Sequence, residues 1–215
     1  MYHYIYATQE ELKPVKKELE RIIHLVQDEV RDDFTFSYEY VGSSSKKRNL
    51  VTYDPKTNIG FDFDVNIHVN DEDEEYEPEE IRSILFNALR KNALGFGYNS
   101  FENSTSVITI KFVEKPFSRI HHSCDFAIVY NGKDGQQYIR YNKKQDYFSW
   151  EFRSKGFENL EERADWLKKQ KHWNEVRDLY LYLKNTNTNL DKHSRSVYAE
   201  TINNLYNQYR NNGHK

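Results

Sequence analysis

Residues 40–67 read YVGSSSKKRNLVTYDPKTNIGFDFDVNI. The stretch divides into the end of one strand, a Gly-Ser turn, a basic segment and a second strand that carries Asp62 and Asp64. Side chains at i and i+2 of a strand share a face, roughly 6–7 Å apart. Phe61, Phe63 and Val65 are then directed to a core, and both aspartates to one site. Two carboxylates this close repel, so a proton, a Lys or Arg, or a divalent cation has to balance them. Asp125 opens a second apolar, β-branched run, SCDFAIVY at 123–130, and supplies a third strand-borne carboxylate. Carboxylates inside apolar strands are costly unless paired, which makes the trio a candidate Mg²⁺ site for phosphoryl transfer.

The chain has 215 residues, enough for one compact domain or two small lobes sharing a core. Seventeen Tyr and 13 Phe supply that core despite a polar average. A formal net charge of −3 excludes a globally basic, nucleic-acid-coating protein, though not a local basic groove. Cys124 is the single cysteine, so no disulfide partner exists within the chain. The start, MYHYIYATQEELK, has no basic-then-apolar leader, and no window approaches 18 apolar residues. A cytoplasmic protein with no membrane segment is the expectation.

Outward from the central stretch, Thr8 and Glu11 have capping-box spacing, and Val15, Leu19, Ile22, Ile23, Val26 and Val30 recur at helical period. One long helix over about 9–31 follows. FTFSYEYV, 34–41, alternates as a half-buried strand. Beyond the second strand, 61–69, residues 71–80 hold eight carboxylates in ten positions, a solvated loop entering a helix that GFG stops at 95–97. Strands are predicted at 105–113 and 123–130, with a hairpin through NGKDGQ. A continuous helical pattern runs from Phe157 to Leu183, a polar connector follows, and a last helix spans about 195–211. The fold class is α+β: a mixed sheet with flanking helices in residues 1–150 and a C-terminal helical lobe in 151–215.

Gly42-Ser43, Asp62-Phe63-Asp64 and Asp125, in this order and on strands with apolar flanks, resemble the DNA polymerase β-like nucleotidyltransferase superfamily. The long first helix and the helical lobe look most like its cyclic-dinucleotide and oligoadenylate synthase branch. The spacer between Gly-Ser and Asp62 is longer than the family's pattern, with residues 53–60, YDPKTNIG, as the insertion. The resemblance implies a catalytic and metal-ligating set of Asp62, Asp64 and Asp125 with two Mg²⁺ or Mn²⁺. It implies that Gly42, Ser43 and Ser44, on a surface turn, hold the NTP phosphates. The basic residues Lys46, Lys47 and Arg48 either steer the triphosphate, with Arg48 as a nucleotide-binding candidate, or form a solvated loop. In that branch a helical-lobe Lys and Ser reach the phosphates; Lys171 and Ser196 have similar spacing.

The implied activity is transfer of an NMP from an NTP to a hydroxyl, with release of pyrophosphate. The acceptor is open: a nucleotide, an RNA end, a small molecule or a protein. A small nucleotide product in a bacterial setting is what the branch suggests. Two other readings stand beside it. One is a nucleotide-binding sensor of the same fold without turnover. The other is a non-enzymatic interaction protein using the acidic run.

Overall fold

In the computed structural model the described residues are 2–71, 75–153, 159–189, 192 and 194–212. The middle of the acidic run (72–74), the expected helix start at Phe157, and connector residues 190, 191 and 193 lie outside them. The elements are β1 (Ile5–Tyr6), α1 (Gln9–Glu29), β2 (Thr35–Tyr40), β3 (Thr52–Tyr53), β4 (Phe61–Asn70), α2 (Pro78–Leu94), β5 (Ser100–Asn103), β6 (Ile108–Glu114), β7 (Arg119–Gly132), β8 (Gly135–Asn142), β9 (Tyr147–Phe152), α3 (Leu160–Lys169), α4 (Trp173–Thr186) and α5 (Ser194–Asn212).

The Thr8–Glu11 capping box forms as the spacing predicts: the Thr8 hydroxyl accepts from the Glu11 N–H, and the Glu11 carboxylate accepts from the Thr8 N–H. α1 then buries Leu12, Leu19, Ile22, Ile23 and Val26 along one stripe. A seven-stranded mixed sheet runs β2-β4-β7-β6-β5, with β8 pairing β7 and β9. β4 and β7 are parallel; the β2–β4, β6–β7 and β7–β8 pairs are antiparallel. Phe63, Val65, Ile67, Phe126, Ile128, Ile108 and Ile110 cover one face and join the buried residues of α1 and α2 in a single cluster. The opposite face carries the polar alternates. A second cluster packs Leu160, Ala164, Leu167, Val176, Tyr180, Val197 and Ile202 of α3–α5 together with Leu50, which comes from the segment after the Gly-Ser turn.

The continuous helix expected to Leu183 is two helices. Lys171 takes a left-handed backbone (φ 65°) between α3 and α4, with its N–H on the Lys168 carbonyl and that of His172 on Leu167. No glycine or proline marks this break, and the apolar period continues across it. The short strands β1, β3 and β5 carry too few residues for alternation to reveal them, and in β9, YFSWEF, aromatics fall on both faces. Insertion 53–60 folds into a tight turn closed by the Asp54 N–H on the Ile59 carbonyl. It docks on β7 through the Ile120 N–H to the Asn58 carbonyl.

Gly60 ends this insertion, and a methyl group there would stand 2.0 Å from the His121 carbonyl oxygen of β7. Backbone cannot yield at that distance, so Gly60→Ala should force β4 and β7 apart just before Asp62. We expect a loss of at least about 2 kcal/mol in urea denaturation. Gly95→Ala, whose nearest neighbour would be 3.6 Å away, serves as the control and should change stability little.

Candidate active site

Val41 follows β2, and its N–H returns to the Asp64 carbonyl at 2.9 Å. Gly42 then adopts φ 57°, a left-handed turn that glycine enters without penalty. A Cβ here would stand 3.4 Å from Oδ2 of Asp64. The glycine thus brings the turn against the carboxylate. Ser44 fastens it: its hydroxyl proton is shared between the carbonyls of Val41 and Asp64, each at 2.9 Å, and its oxygen accepts from the Asp64 N–H at 3.1 Å. The expected surface turn is in fact interior, with Ser43 6 % and Ser44 0 % exposed. The reason is that β4 and the lobe close over it. Ser44's hydroxyl is occupied by backbone, and Ser43 lies beside the Tyr180 hydroxyl.

The three aspartates come together on the sheet's polar face. Asp64 is the register partner of Asp125 on the parallel strand, and Asp62 is that of Ser123. Adjacent strands lie about 4.8 Å apart, so partners in register are near neighbours on the same face. Ser123 donates to Asp62 Oδ1 at 3.0 Å, and Thr109, the β6 partner of Asp125, donates to its Oδ1 at 2.5 Å. Among the described residues no three His, Cys, Asp or Glu side chains are gathered into a ready cage for a metal ion. The Asp64 carboxyl is pushed up to about 8, first by burial and then by the neighbouring charges of Asp62 and Asp125.

Cations from the lobe face this trio. The Lys184 ammonium is held by Thr52 Oγ1 at 2.8 Å and Ser194 Oγ at 3.0 Å, over the ring of Tyr4. Burial lowers it to about 8, against the opposing pull of Asp62 and Asp64. Arg195 and Arg153 are also lowered by burial while Asp64 acts on both in the raising direction. A cavity of about 810 Å³ opens between the sheet and the lobe, lined by Gly42, Asn66, Arg153, Arg195 and Tyr198 among others; it reaches the Gly42 turn, and the three aspartates are not among its lining residues.

Of the residues expected from the sequence, Gly42, Ser43, Ser44, Asp62, Asp64 and Asp125 are brought together. Arg48 is not: its side chain is fully buried and ion-paired with Glu161 at 2.5 Å and Asp165 at 3.0 Å. Lys171 is exposed at the α3–α4 junction, and Ser196 sits half-buried in the first turn of α5; neither lines the cavity. The lobe pair beside the aspartates is instead Lys184 and Ser194. Its signal in the sequence was the position of Lys184, eight residues after Val176 and four after Tyr180, inside the buried stripe of α4. Asn66, Arg153 and Arg195 carried no such signal.

No protein-family model matches the sequence, and no curated protein does. Solved structures do. The GTP-bound form of Vibrio cholerae DncV superposes with a TM-score of 0.54 at 17% identity, over 92% of this chain and 52% of that one. The two chains share their fold. The 3′-deoxy ATP-bound form of DncV gives 0.54 at 16% identity, over 92% of this chain and 52% of that one. The DncV complex with GTP and 5MTHFGLU2 gives 0.53 at 16% identity, over 92% and 54%. The chain spans about half the length of these matches. At this identity the likeness is one of fold, and the α+β class expected from the sequence, a mixed sheet with flanking helices, is borne out. No helix among the described residues is long and apolar enough to cross a membrane.

Two outcomes follow from the turn and the trio. Ser44→Ala removes the hydroxyl to which the Asp64 amide donates and one of the two donors to the Val41 carbonyl, so denaturation should show a loss of about 1–3 kcal/mol, with Ser43→Ala losing less. For Asp64, the folded state holds a proton that the unfolded state releases near pH 4, so its contribution makes stability fall as pH rises from about 4 to 8. Asp64→Asn should remove that slope. The variant should gain on the wild type in melting temperature as pH rises through this window and match it near pH 4.

Proposed function

We propose that this chain is a nucleotidyltransferase that moves an NMP from an NTP to a hydroxyl acceptor and releases pyrophosphate. The observation that carries this reading is the in-register pair Asp64–Asp125, with Asp62 two residues away, set against the Gly42 turn and facing Lys184 and Arg195. A carboxylate trio opposite buried cations next to a glycine-released turn suits a polyphosphate bound with a divalent cation. DncV, which shares the fold, has been solved with GTP bound.

Carboxylate oxygens are the donors that hard divalent cations take, so the set fits Mg²⁺ or Mn²⁺ by its chemistry. Asp62, Asp64 and Asp125 would hold it. When bound, such an ion neutralises phosphate charge and lowers the pKa of an acceptor hydroxyl. The protein's own groups do the rest. The backbone amides of Gly42 and Ser43 and the Ser43 hydroxyl take the outer phosphates, and Lys184 and Arg195 offset their charge. Asp125, one strand further from the turn, serves the acceptor side. The acceptor oxygen bonds to the α-phosphorus as the bond from that phosphorus to the α–β bridging oxygen breaks. The hydroxyl proton passes to a carboxylate oxygen of Asp125, and pyrophosphate carries away the bonding electrons. The cavity at the Gly42 turn has room for a nucleotide-sized acceptor, and a small nucleotide product follows from that reading.

One observation favours a second reading, a nucleotide-binding module without turnover. Asp62 and Asp125 are turned to Ser123 and Thr109, and lobe cations already balance the trio. Incubation with each NTP and Mg²⁺ or Mn²⁺, read by pyrophosphate release and mass spectrometry of products, separates the two. Transfer should fall to background in excess EDTA. Asp125→Asn should bind Mg²⁺–NTP within a few-fold of wild type by calorimetry yet turn over about 10²–10⁴ times more slowly. Asp62→Asn and Asp64→Asn should impair both. Normal turnover by Asp125→Asn would remove Asp125 from the reaction, and NTP binding without any pyrophosphate would establish the second reading.

A further inference from the structure

The segment after the Gly-Ser turn, residues 45–52, contains no regular element until Thr52, yet Arg48, Leu50, Val51 and Thr52 are all buried. Its support comes from the helical lobe. The Arg48 guanidinium, 0 % exposed, spreads its contacts in three directions. Nη1 donates to Asp165 Oδ1 at 3.0 Å, and Nη2 to the Glu161 side chain at 2.5 Å and to its backbone carbonyl at 3.2 Å. The guanidinium carbon lies 5.5 Å from the centre of the Trp173 ring. Around this group, Lys168 Nζ donates to the Lys47 carbonyl at 2.7 Å and Arg177 Nη1 to the Asn49 carbonyl at 2.8 Å. Leu50 joins the lobe's apolar cluster.

The same segment is wired back to the turn. Arg48 donates its N–H to the Ser45 carbonyl, Leu50 to the Ser43 carbonyl, and Ser45 to the Gly42 carbonyl. A displacement of Arg48 is therefore transmitted to Ser43 and Gly42 through two or three hydrogen bonds. Glu161 and Asp165, the acceptors of Arg48, also line the large cavity together with Ser45, Lys46 and Lys47.

We infer that Arg48 is a positioning residue through which helix α3 sets the Gly42–Ser45 turn against Asp64. It touches no phosphate itself. A buried guanidinium is required because two carboxylates and a carbonyl are reached from one planar fork, which an ammonium cannot do. Once Arg48 is lost, the segment keeps its lobe contacts through Lys168, Arg177 and Leu50 but loses its central strut. The turn should then sample geometries in which its amides no longer converge. The consequence for nucleotide binding rests on the nucleotidyl-transfer reading above; the consequence for the turn does not.

The test uses the full chain and two measurements. Amide hydrogen exchange is followed at residues 43–50, at the β4 residues Val65–Val69 and in α5. Binding of Mg²⁺–ATP and Mg²⁺–GTP is followed by calorimetry. Arg48→Met keeps the aliphatic volume and should speed exchange of the Ser44, Ser45 and Leu50 amides by about tenfold or more while β4 and α5 keep wild-type protection. NTP affinity should fall by about tenfold or more, and Arg48→Lys should lie between Arg48→Met and wild type. Should Arg48→Met not fold, the double variant Glu161→Gln/Asp165→Asn retains shape and removes the charge pairing, with the same exchange pattern expected at smaller size. Wild-type exchange across 43–50 would overturn the inference, and so would acceleration spread equally over β4 and α5, which marks general destabilisation. If wild-type protein binds neither nucleotide, the nucleotidyl-transfer reading fails, and the exchange pattern still decides the role of Arg48.

Discussion

The parallel pairing of β4 with β7 places Asp64 directly beside Asp125. This juxtaposition is unfavourable on its own, because like charges at strand spacing repel and burial removes the water that would screen them. The fold holds it by fixing the other face of the same strands. Phe63, Val65, Ile67, Cys124, Phe126 and Ile128 are all buried under α1 and α2. A one-residue slip of either strand would turn those apolar side chains toward the lobe and the carboxylates into the core. The core therefore imposes the charge cluster, and the raised protonation of Asp64 records its cost.

The helical lobe offsets that cost. Lys184 is a buried cation and Arg195 a half-buried one; burial disfavours the charged form of each, and the aspartates partly restore it. Lobe and sheet are thus joined by complementary desolvated charge as well as by Leu50 and the Arg48 ion pairs. Between them lies the open cavity, walled on one side by Asn66 and Arg153, whose amide and guanidinium are hydrogen-bonded at 3.1 Å. Buried cations, an acidic trio and an adjoining cavity form one continuous polar layer between two apolar cores.

A fold shared at 16–17% identity is consistent with this division of labour. The apolar alternation of β2, β4, β6 and β7 and the stripe of α1 tolerate exchange among hydrophobic residues as long as period and volume are kept. The polar face has less freedom, since each of its charges is balanced by a specific neighbour. What the cavity admits is decided by the side chains that line it, which a shared fold leaves free to differ.

The sequence by itself determined the sheet's central strands, the long capped first helix and the turn-plus-carboxylate core of the site. These rest on local rules: alternation with period two, helical period 3.6, a capping box, and a glycine where a left-handed turn was needed at Gly42. Tertiary structure decided the rest. It made Ser44 a fastener between β2 and β4, turned Arg48 inward onto α3, broke the lobe's helix at Lys171, and set Lys184 and Ser194 beside the aspartates. These depend on contacts between residues distant in sequence, 20 positions apart for Ser44 and Asp64, 117 for Arg48 and Asp165 and 132 for Lys184 and Thr52, or on which face of a helix meets another body. A Lys or Arg reads the same in sequence whether it steers a ligand or supports a wall, because its charge is fixed by its type and its partner only by packing.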